Sequence, residues 1–438
     1  MITYLKKAIK TPESDEAETR EIVEKIIKAV RENGDDEILR HYSAKFKNWK
    51  GKLILSADEI EQRAKNIPET IREDLTFAYE QVYGFAMKQR ESMQEFETEI
   101  TPGVTLGQRL IPCDCAGCYI PGGLFAHAAS AIMSIATAKA AGVPFVVACS
   151  PSHDGETINP AIMCAVSICR PDVFMMMGGA HAIAAMAYGN FTGKPADVIV
   201  GPGNRFVAEA KRQLFGKIGI DVFAGPTESL VIADKTADPY MVAIDLMSQA
   251  EHGYDSPVWL VTDSKELAET VMNEMPKVIA DLPEPKVAKA SWRDYGEVVL
   301  CSTREEMLEV SNDYAAEHVQ VIVEDLDWWL DNLSKYGSLF LGEECTVPYG
   351  DKTTGTNHIL PTNKAARYSG GLSVGKFIKV VTYQRMTRQA SKRIGEVASR
   401  ISRLEGMEGH ARAADVRLRK YFPDEKFDFE VYDPKGER

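Results

Sequence analysis

Between residues 119 and 226 the chain alternates short apolar runs with segments rich in small residues, and this rhythm restricts the fold more than any other feature. The runs at 145–149, 173–177 and 198–200 are apolar throughout, as strands covered on both faces require. The segments 128–141, 159–169 and 180–188 read as the helices between them. Such alternation builds a parallel, doubly wound sheet, and ligands of such sheets bind beyond the carboxyl ends of the strands. Gly178-Gly179 and Gly201-Pro202-Gly203-Asn204 fall at those ends, each ahead of a helix. Glycine there lets a ligand approach the backbone, and a helix N-terminus favours phosphate. Tight turns demand glycine equally well. The G-x-G-x-x-G fingerprint is missing, so the pattern alone does not specify a dinucleotide.

A second α/β unit follows, with strands expected at 258–262, 298–301, 319–323 and 338–341 and helices at 267–279, 304–314 and 328–335. A chain of 438 residues exceeds one ordinary core, so several domains are expected. The first helix is signalled by Thr11 as N-cap and Pro12 at the first helical position. Ile22, Val23, Ile26, Ile27 and Val30 then recur at helical spacing, and Gly34 stops it. After about residue 371 the chain is expected to be helical, from 384 to 405. It carries basic and small residues there and too few apolar ones for a core of its own. An arm of that kind packs on something else, and a second subunit is the expectation.

The net charge of −13 excludes a phosphate-backbone partner and means that an anionic substrate needs a local cationic pocket. No apolar run is long enough to span a membrane, and the N-terminus lacks the pattern of a secretion signal. The eight cysteines then read as reduced, mostly buried thiols of a cytoplasmic protein. The C-x-x-C at Cys115-Ala116-Gly117-Cys118 has no second pair nearby to complete a zinc knuckle, so strand packing is preferred to a metal or redox site.

Chemistry concentrates elsewhere. Ser248-Gln249-Ala250-Glu251-His252-Gly253 sets an amide oxygen and an imidazole three residues apart, on one face of an expected helix. Gly350-Asp351 and Glu408-Gly409-His410 place further metal-capable side chains in glycine-bearing stretches. Gln249, His252, Asp351 and His410 together make a mixed N/O set that suits zinc and leaves room for substrate. Ala316-Glu317-His318 puts a carboxylate beside an imidazole able to take a proton near neutral pH. Neighbours in a regular strand face opposite ways, so both reach one site only if the backbone bends there. The structural alternative is a solvated helix C-terminus stabilising a histidine cation. On these residues alone, a zinc hydrolase with Glu317 activating water stands beside a dehydrogenase, and a non-catalytic binder is disfavoured because it needs neither set.

With Gly201-Pro202-Gly203-Asn204, Gly355-Thr356-Asn357-His358-Ile359-Leu360-Pro361-Thr362 and Ser369-Gly370-Gly371-Leu372-Ser373-Val374, these motifs resemble the histidinol dehydrogenase family along nearly the whole chain. The resemblance implies zinc and NAD, and oxidation of a primary alcohol through an aldehyde to a carboxylate. It implies zinc at Gln249, His252, Asp351 and His410, and acid–base roles for Glu317 and His318. Substrate contacts would be Thr227, His318, His358 and Glu405, and NAD contacts Tyr119, His181 and Asn204. The implied architecture is two Rossmann-like α/β domains: 15–118 with 229–370, and 119–228 on the NAD side. They would be flanked by an N-terminal segment at 1–14 and a C-terminal helical arm at 371–438. That arm would carry His410 into the partner's site in a homodimer. The chain departs from the histidine-biosynthesis members at Phe125-Ala126-His127-Ala128-Ala129-Ser130, at Thr227 and at His181. The pattern, with Gly225-Pro226-Thr227-Glu228, Tyr368-Ser369-Gly370-Gly371-Leu372 and Glu408-Gly409-His410-Ala411-Arg412, is closer to the branch that oxidises 2,3-dihydroxypropane-1-sulfonate to sulfolactate, with histidinol as the alternative substrate. A sulfonate needs N–H donors or cations, and His127 is the expected donor.

Overall fold

The apolar runs of the first α/β stretch do assemble as a sheet of six strands, in the spatial order Ile54–Leu55, Val173–Met175, Val146–Cys149, Ala116–Tyr119, Val198–Val200 and Gly219–Ile220. All neighbours run parallel except the short Ile54–Leu55 edge. The structure, a computed structural model, describes residues 1–10, 16–47, 49–122, 126–222 and 225–427. Thr11 and Pro12 therefore lie outside the described residues, as do Gly123 and Phe125. The helix Glu16–Asn33 ends where Gly34 turns to a φ of 58°. It buries Val23, Ile27 and Val30 and packs on the helices Gly179–Tyr188 and Arg205–Leu214.

The second α/β stretch repeats the plan. Its sheet runs Thr3–Lys6, Glu297–Leu300, Val258–Thr262, Ser229–Ala233, His318–Ile322, Ser338–Leu341, parallel throughout except for the N-terminal strand. Setting aside the antiparallel edges, both sheets place their first strand centrally and wind outward on either side of it. Ser229–Ala233 and His318–Ile322 are buried along their whole length, and apart from His318 and Gln320 their residues are apolar or small.

Ser92–Ile111 and Ile378–Arg438 form a separate compact unit. Residues 378–386 are a strand, so the helix expected over 384–405 starts later, at Arg388, and runs to Leu404. Ile378, Val380, Val381 and Tyr383 give the strand its β-branched and aromatic content, masked by interspersed basic residues. It pairs with Val104–Pro112, which pairs with Phe96–Thr101. The Tyr383 ring lies over Gly107, where a Cβ would come within 2.1 Å of it. The helices Arg388–Leu404 and Glu408–Tyr421 pack on each other. Their link is polar: Arg403 donates to Asp415 at 2.6 Å, and buried Ser399 donates to the same carboxylate.

The glycines of the first sheet answer mainly to packing. Gly201 sits at φ 117°, and a Cβ there would lie 2.0 Å from the Tyr119 carbonyl oxygen. Its N–H donates to Asp221 Oδ2 at 2.7 Å and its carbonyl accepts from Lys211 Nζ at 3.1 Å. Lys211 and Asp221 form a fully buried ion pair. The thiols of Cys115 and Cys118 are pushed up by burial, to about 11 and about 12. A thiolate metal or redox site needs the opposite shift.

Removing one member of a buried pair leaves an uncompensated charge. Lys211→Met should cost about 3–5 kcal/mol in urea unfolding, and Lys211→Met combined with Asp221→Leu should regain much of that loss.

Candidate active site

The helix Pro239–Ala250 starts well, with Pro239 at its first position and Asp238 capping the Tyr240 N–H at 2.8 Å. Its end presents Gln249, and the turn beyond it presents His252, whose N–H donates to the Gln249 carbonyl at 3.3 Å. Gln249 is only 2% exposed; its Nε2 donates to Ser248 Oγ at 3.3 Å, while its Oε1 is buried without a donor. Asp351 lies on the short helix Val347–Lys352. His358 Nδ1 donates to the Asp351 carbonyl at 2.8 Å, which leaves Nε2 to accept from Ser130 Oγ at 3.0 Å. Asn357 anchors this turn on the helix Ala128–Ala140, donating to the Met133 carbonyl at 2.9 Å. Gln249, His252, Asp351, His358, His127 and Ser130 all line one cavity of about 500 Å³.

Glu317 and His318 sit at the start of a central strand of the second sheet. Ala315, at φ 47°, ends the preceding helix in the left-handed region; Glu317 stands just before the strand His318–Ile322, and its Oε2 lies 3.6 Å from His318 Nδ1. Register places His318 opposite Ser229. The peptide of Glu228 then holds both side chains: its N–H donates to Glu317 Oε2 at 3.0 Å and its carbonyl accepts from His318 Nδ1 at 3.2 Å. His318 Nε2 is 3.6 Å from Asp351 Oδ1, an ion-pair distance. The pair thus lies at the amino ends of these strands.

Burial sets the charges. It pushes Glu317 up to about 8 and Glu228 up to about 7. It pulls on His318 in the opposite sense, but the Glu317 and Asp351 carboxylates outweigh it and raise the imidazole to about 9. Asp351 resists its own burial because of His318 and falls to about 2. Burial lowers His252 to about 4 and also lowers His358 and His127. A neutral imidazole at His252, a carboxylate at Asp351 and the donorless Gln249 oxygen are the groups a divalent cation binds, so this wall suits zinc. Among the described residues no three His, Cys, Asp or Glu side chains form a metal cluster by themselves.

The remaining expected site residues are spread more widely. Thr227 is half-buried in the loop ahead of the Ser229 strand. Glu405 and His410 are exposed, on the helical part of the separate unit. Tyr119 ends a central strand of the first sheet, and its Oη accepts from the Gly179 N–H at 3.2 Å. Asn204 caps its helix, accepting from the Phe206 and Val207 N–H groups. His181 stacks on His41 at 3.7 Å and is held neutral, lowered to about 3 by burial and then by His41. A cavity of about 430 Å³, lined by Gly122, Pro151 and Asn159 among others, opens past the carboxyl ends of the Ala116 and Val146 strands. Glu228 was not among the expected site residues. It stood in the motif Gly225-Pro226-Thr227-Glu228, but a carboxyl beside a glycine–proline turn looks like an ordinary turn residue.

The family model for histidinol dehydrogenase matches residues 9–418. The chain is 56% identical to a sulfopropanediol 3-dehydrogenase from Ruegeria pomeroyi, over 98% of each chain. It is 38% identical to a histidinol dehydrogenase from Gluconobacter oxydans, over 93% of this chain and 94% of that one. The crystal structure of a histidinol dehydrogenase from Elizabethkingia anophelis matches with a TM-score of 0.88 at 31% identity, covering 94% of this chain and 95% of the other. Among the described residues, no helix is long and apolar enough to cross a membrane.

In Glu317→Gln, His318 loses the carboxylate that raises it while its burial remains. Its ring, followed by NMR titration of the metal-free protein, should therefore lose its proton at lower pH than in the parent. An unchanged or higher midpoint would show that Glu317 does not act on His318.

Proposed function

Because the chain belongs to the histidinol dehydrogenase family of NAD-dependent oxidoreductases, we propose that it is a zinc-dependent dehydrogenase of 2,3-dihydroxypropane-1-sulfonate, oxidising the primary alcohol to sulfolactate. The observation that carries this reading is the 56% identity, over nearly the full length of both chains, to a protein named for that activity. Family membership sets aside the hydrolase reading. One alcohol, one water and two NAD would give a carboxylate, two NADH and three protons.

In this reading Gln249, His252 and Asp351 hold zinc together with His410 of a neighbouring subunit in a homodimer. The two similarly wound sheets act as Rossmann-like domains, and NAD lies near Tyr119, His181 and Asn204. Bound zinc would supply a charge that orients the hydroxyl and eases loss of its proton, and bound NAD would supply the hydride acceptor. His318 takes the hydroxyl proton in its neutral form, which the Glu317 and Asp351 carboxylates confine to alkaline pH in the metal-free protein. Its Nδ1–H, donated to the Glu228 carbonyl, leaves Nε2 as the working nitrogen. Glu317, buried beside it, takes a proton from the water that hydrates the aldehyde. Its raised pKa makes it a stronger base than an ordinary carboxylate, once ionised. Thr227, His358, Glu405 and His127 contact the substrate.

Purified enzyme should form NADH faster with 2,3-dihydroxypropane-1-sulfonate than with L-histidinol, lose activity to a chelator and regain it with zinc. Faster turnover of histidinol would overturn the sulfonate assignment. Glu317→Gln should slow oxidation of the aldehyde by roughly 10²–10⁴-fold, and more than oxidation of the alcohol, measured in separate half-reactions. Equal losses would refute that division of roles.

A further inference from the structure

The chemistry described so far draws on the amide, imidazole and carboxylate groups of the 500 Å³ cavity and leaves out its ammonium. Lys352 is the only lysine or arginine among the described residues lining that cavity. It closes the helix Val347–Lys352, directly after Asp351. Asp74, Glu251 and Asp351 line the same space, and among the described residues Lys352 pairs with none of them. Asp351 faces His318 instead.

The Lys352 ammonium shares this wall with His127, His252 and His358. The helix Ala128–Ala140 begins on the same wall, with no acidic residue in its first turn to compete for a cation. The chain as a whole carries −13, so a cavity that accepts an anion must hold a local positive charge. Geometry supplies the last step. A three-carbon substrate brings its reacting hydroxyl and its tail close together, so the groups that bind them must be neighbours. Asp351 and Lys352 are consecutive in sequence and line one cavity.

We propose that Lys352 selects substrates with an anionic tail, receiving the sulfonate while the hydroxyl end lies against Gln249, His252 and Asp351. The assignment rests on the dehydrogenase reading of this cavity and adds to it a specificity-determining residue. The charge-assisted contact accounts for discrimination against neutral and cationic alcohols of similar length.

The test compares the zinc-loaded parent with Lys352→Met and Lys352→Arg. Two quantities are measured: steady-state oxidation of 2,3-dihydroxypropane-1-sulfonate and of glycerol, and calorimetric binding of propane-1-sulfonate, which cannot react. Lys352→Met should raise KM for the sulfonate and weaken propane-1-sulfonate binding, each by roughly tenfold or more. Its kcat for the sulfonate and its kcat/KM for glycerol should stay within about twofold, and Lys352→Arg should keep most of the affinity. Because Lys352 is exposed, unchanged thermal melting is expected and excludes a folding defect. If the parent oxidises the sulfonate and Lys352→Met leaves both KM and propane-1-sulfonate affinity unchanged, the role of Lys352 is overturned and the proposed function stands. If the parent binds propane-1-sulfonate through Lys352 but does not oxidise the sulfonate substrate, the proposed function falls and the anion contact stands. If the parent neither binds nor oxidises a sulfonate, both fall.

Discussion

The pairing of the Ser229–Ala233 strand with the His318–Ile322 strand is the constraint from which the candidate site follows. Its register sets Ser229 opposite His318. One residue earlier on each strand, Glu228 and Glu317 then stand side by side before the ladder closes. The Glu228 peptide uses both its donor and its acceptor on the neighbouring pair. Slipping the register by one residue would turn every side chain of the strand to the other face and remove His318 from Asp351. The acid–base pair is therefore a property of the sheet, and the surrounding turns adapt to it. Gly337 shows this, since a Cβ there would come within 2.5 Å of the Glu317 carbonyl oxygen.

The sheet brings together groups that are costly to bury. Glu228, Glu317, His318 and Asp351 are all buried, and three of them are carboxyls. They cannot all carry full charge in so small a volume, and their shifted pKa values express that conflict. Three polar atoms there have no hydrogen-bonding partner: Gln249 Oε1, Glu228 Oε2 and His318 Nε2. Buried polar atoms are normally satisfied, and a cluster of exceptions marks a place kept ready for a ligand. Glu228 is steadied differently, since its Oε1 accepts from the Asn363 N–H at 2.9 Å and so ties the Gly225 loop to the turn after Pro361.

What could be read from the residues depended on whether a local pattern existed. The parallel strands were legible because strands covered on both faces are largely apolar, as 198–200 and, but for Thr262, 258–262 are. The end of the first helix was legible too, since Gly34 takes the left-handed conformation that stops it. Gln249 and His252 were legible through their spacing, although His252 lies one turn past the helix rather than within it. The strand Ile378–Met386 was not, because its charged residues imitate a helical surface. The short edges Thr3–Lys6 and Ile54–Leu55 were missed because a few residues on a sheet margin carry no periodic signal. At Gly201 the structure shows a second demand for glycine that the residues did not reveal, the close approach of the Tyr119 backbone in the same sheet. Glu228 and Lys352 escaped because their importance arises from what folds around them and not from any neighbour in the chain.

The two sheets share a winding order but carry their features at opposite ends: the 430 Å³ cavity opens past carboxyl ends of the first, whereas His318 opens a strand of the second at its amino end. A four-electron oxidation consumes two carriers for each substrate molecule. If NAD lies at the first sheet and the substrate at the second, as proposed, a spent carrier could be exchanged for a fresh one while the reactive aldehyde stays sequestered. Separate berths on a duplicated plan would thus spare the cell a free aldehyde.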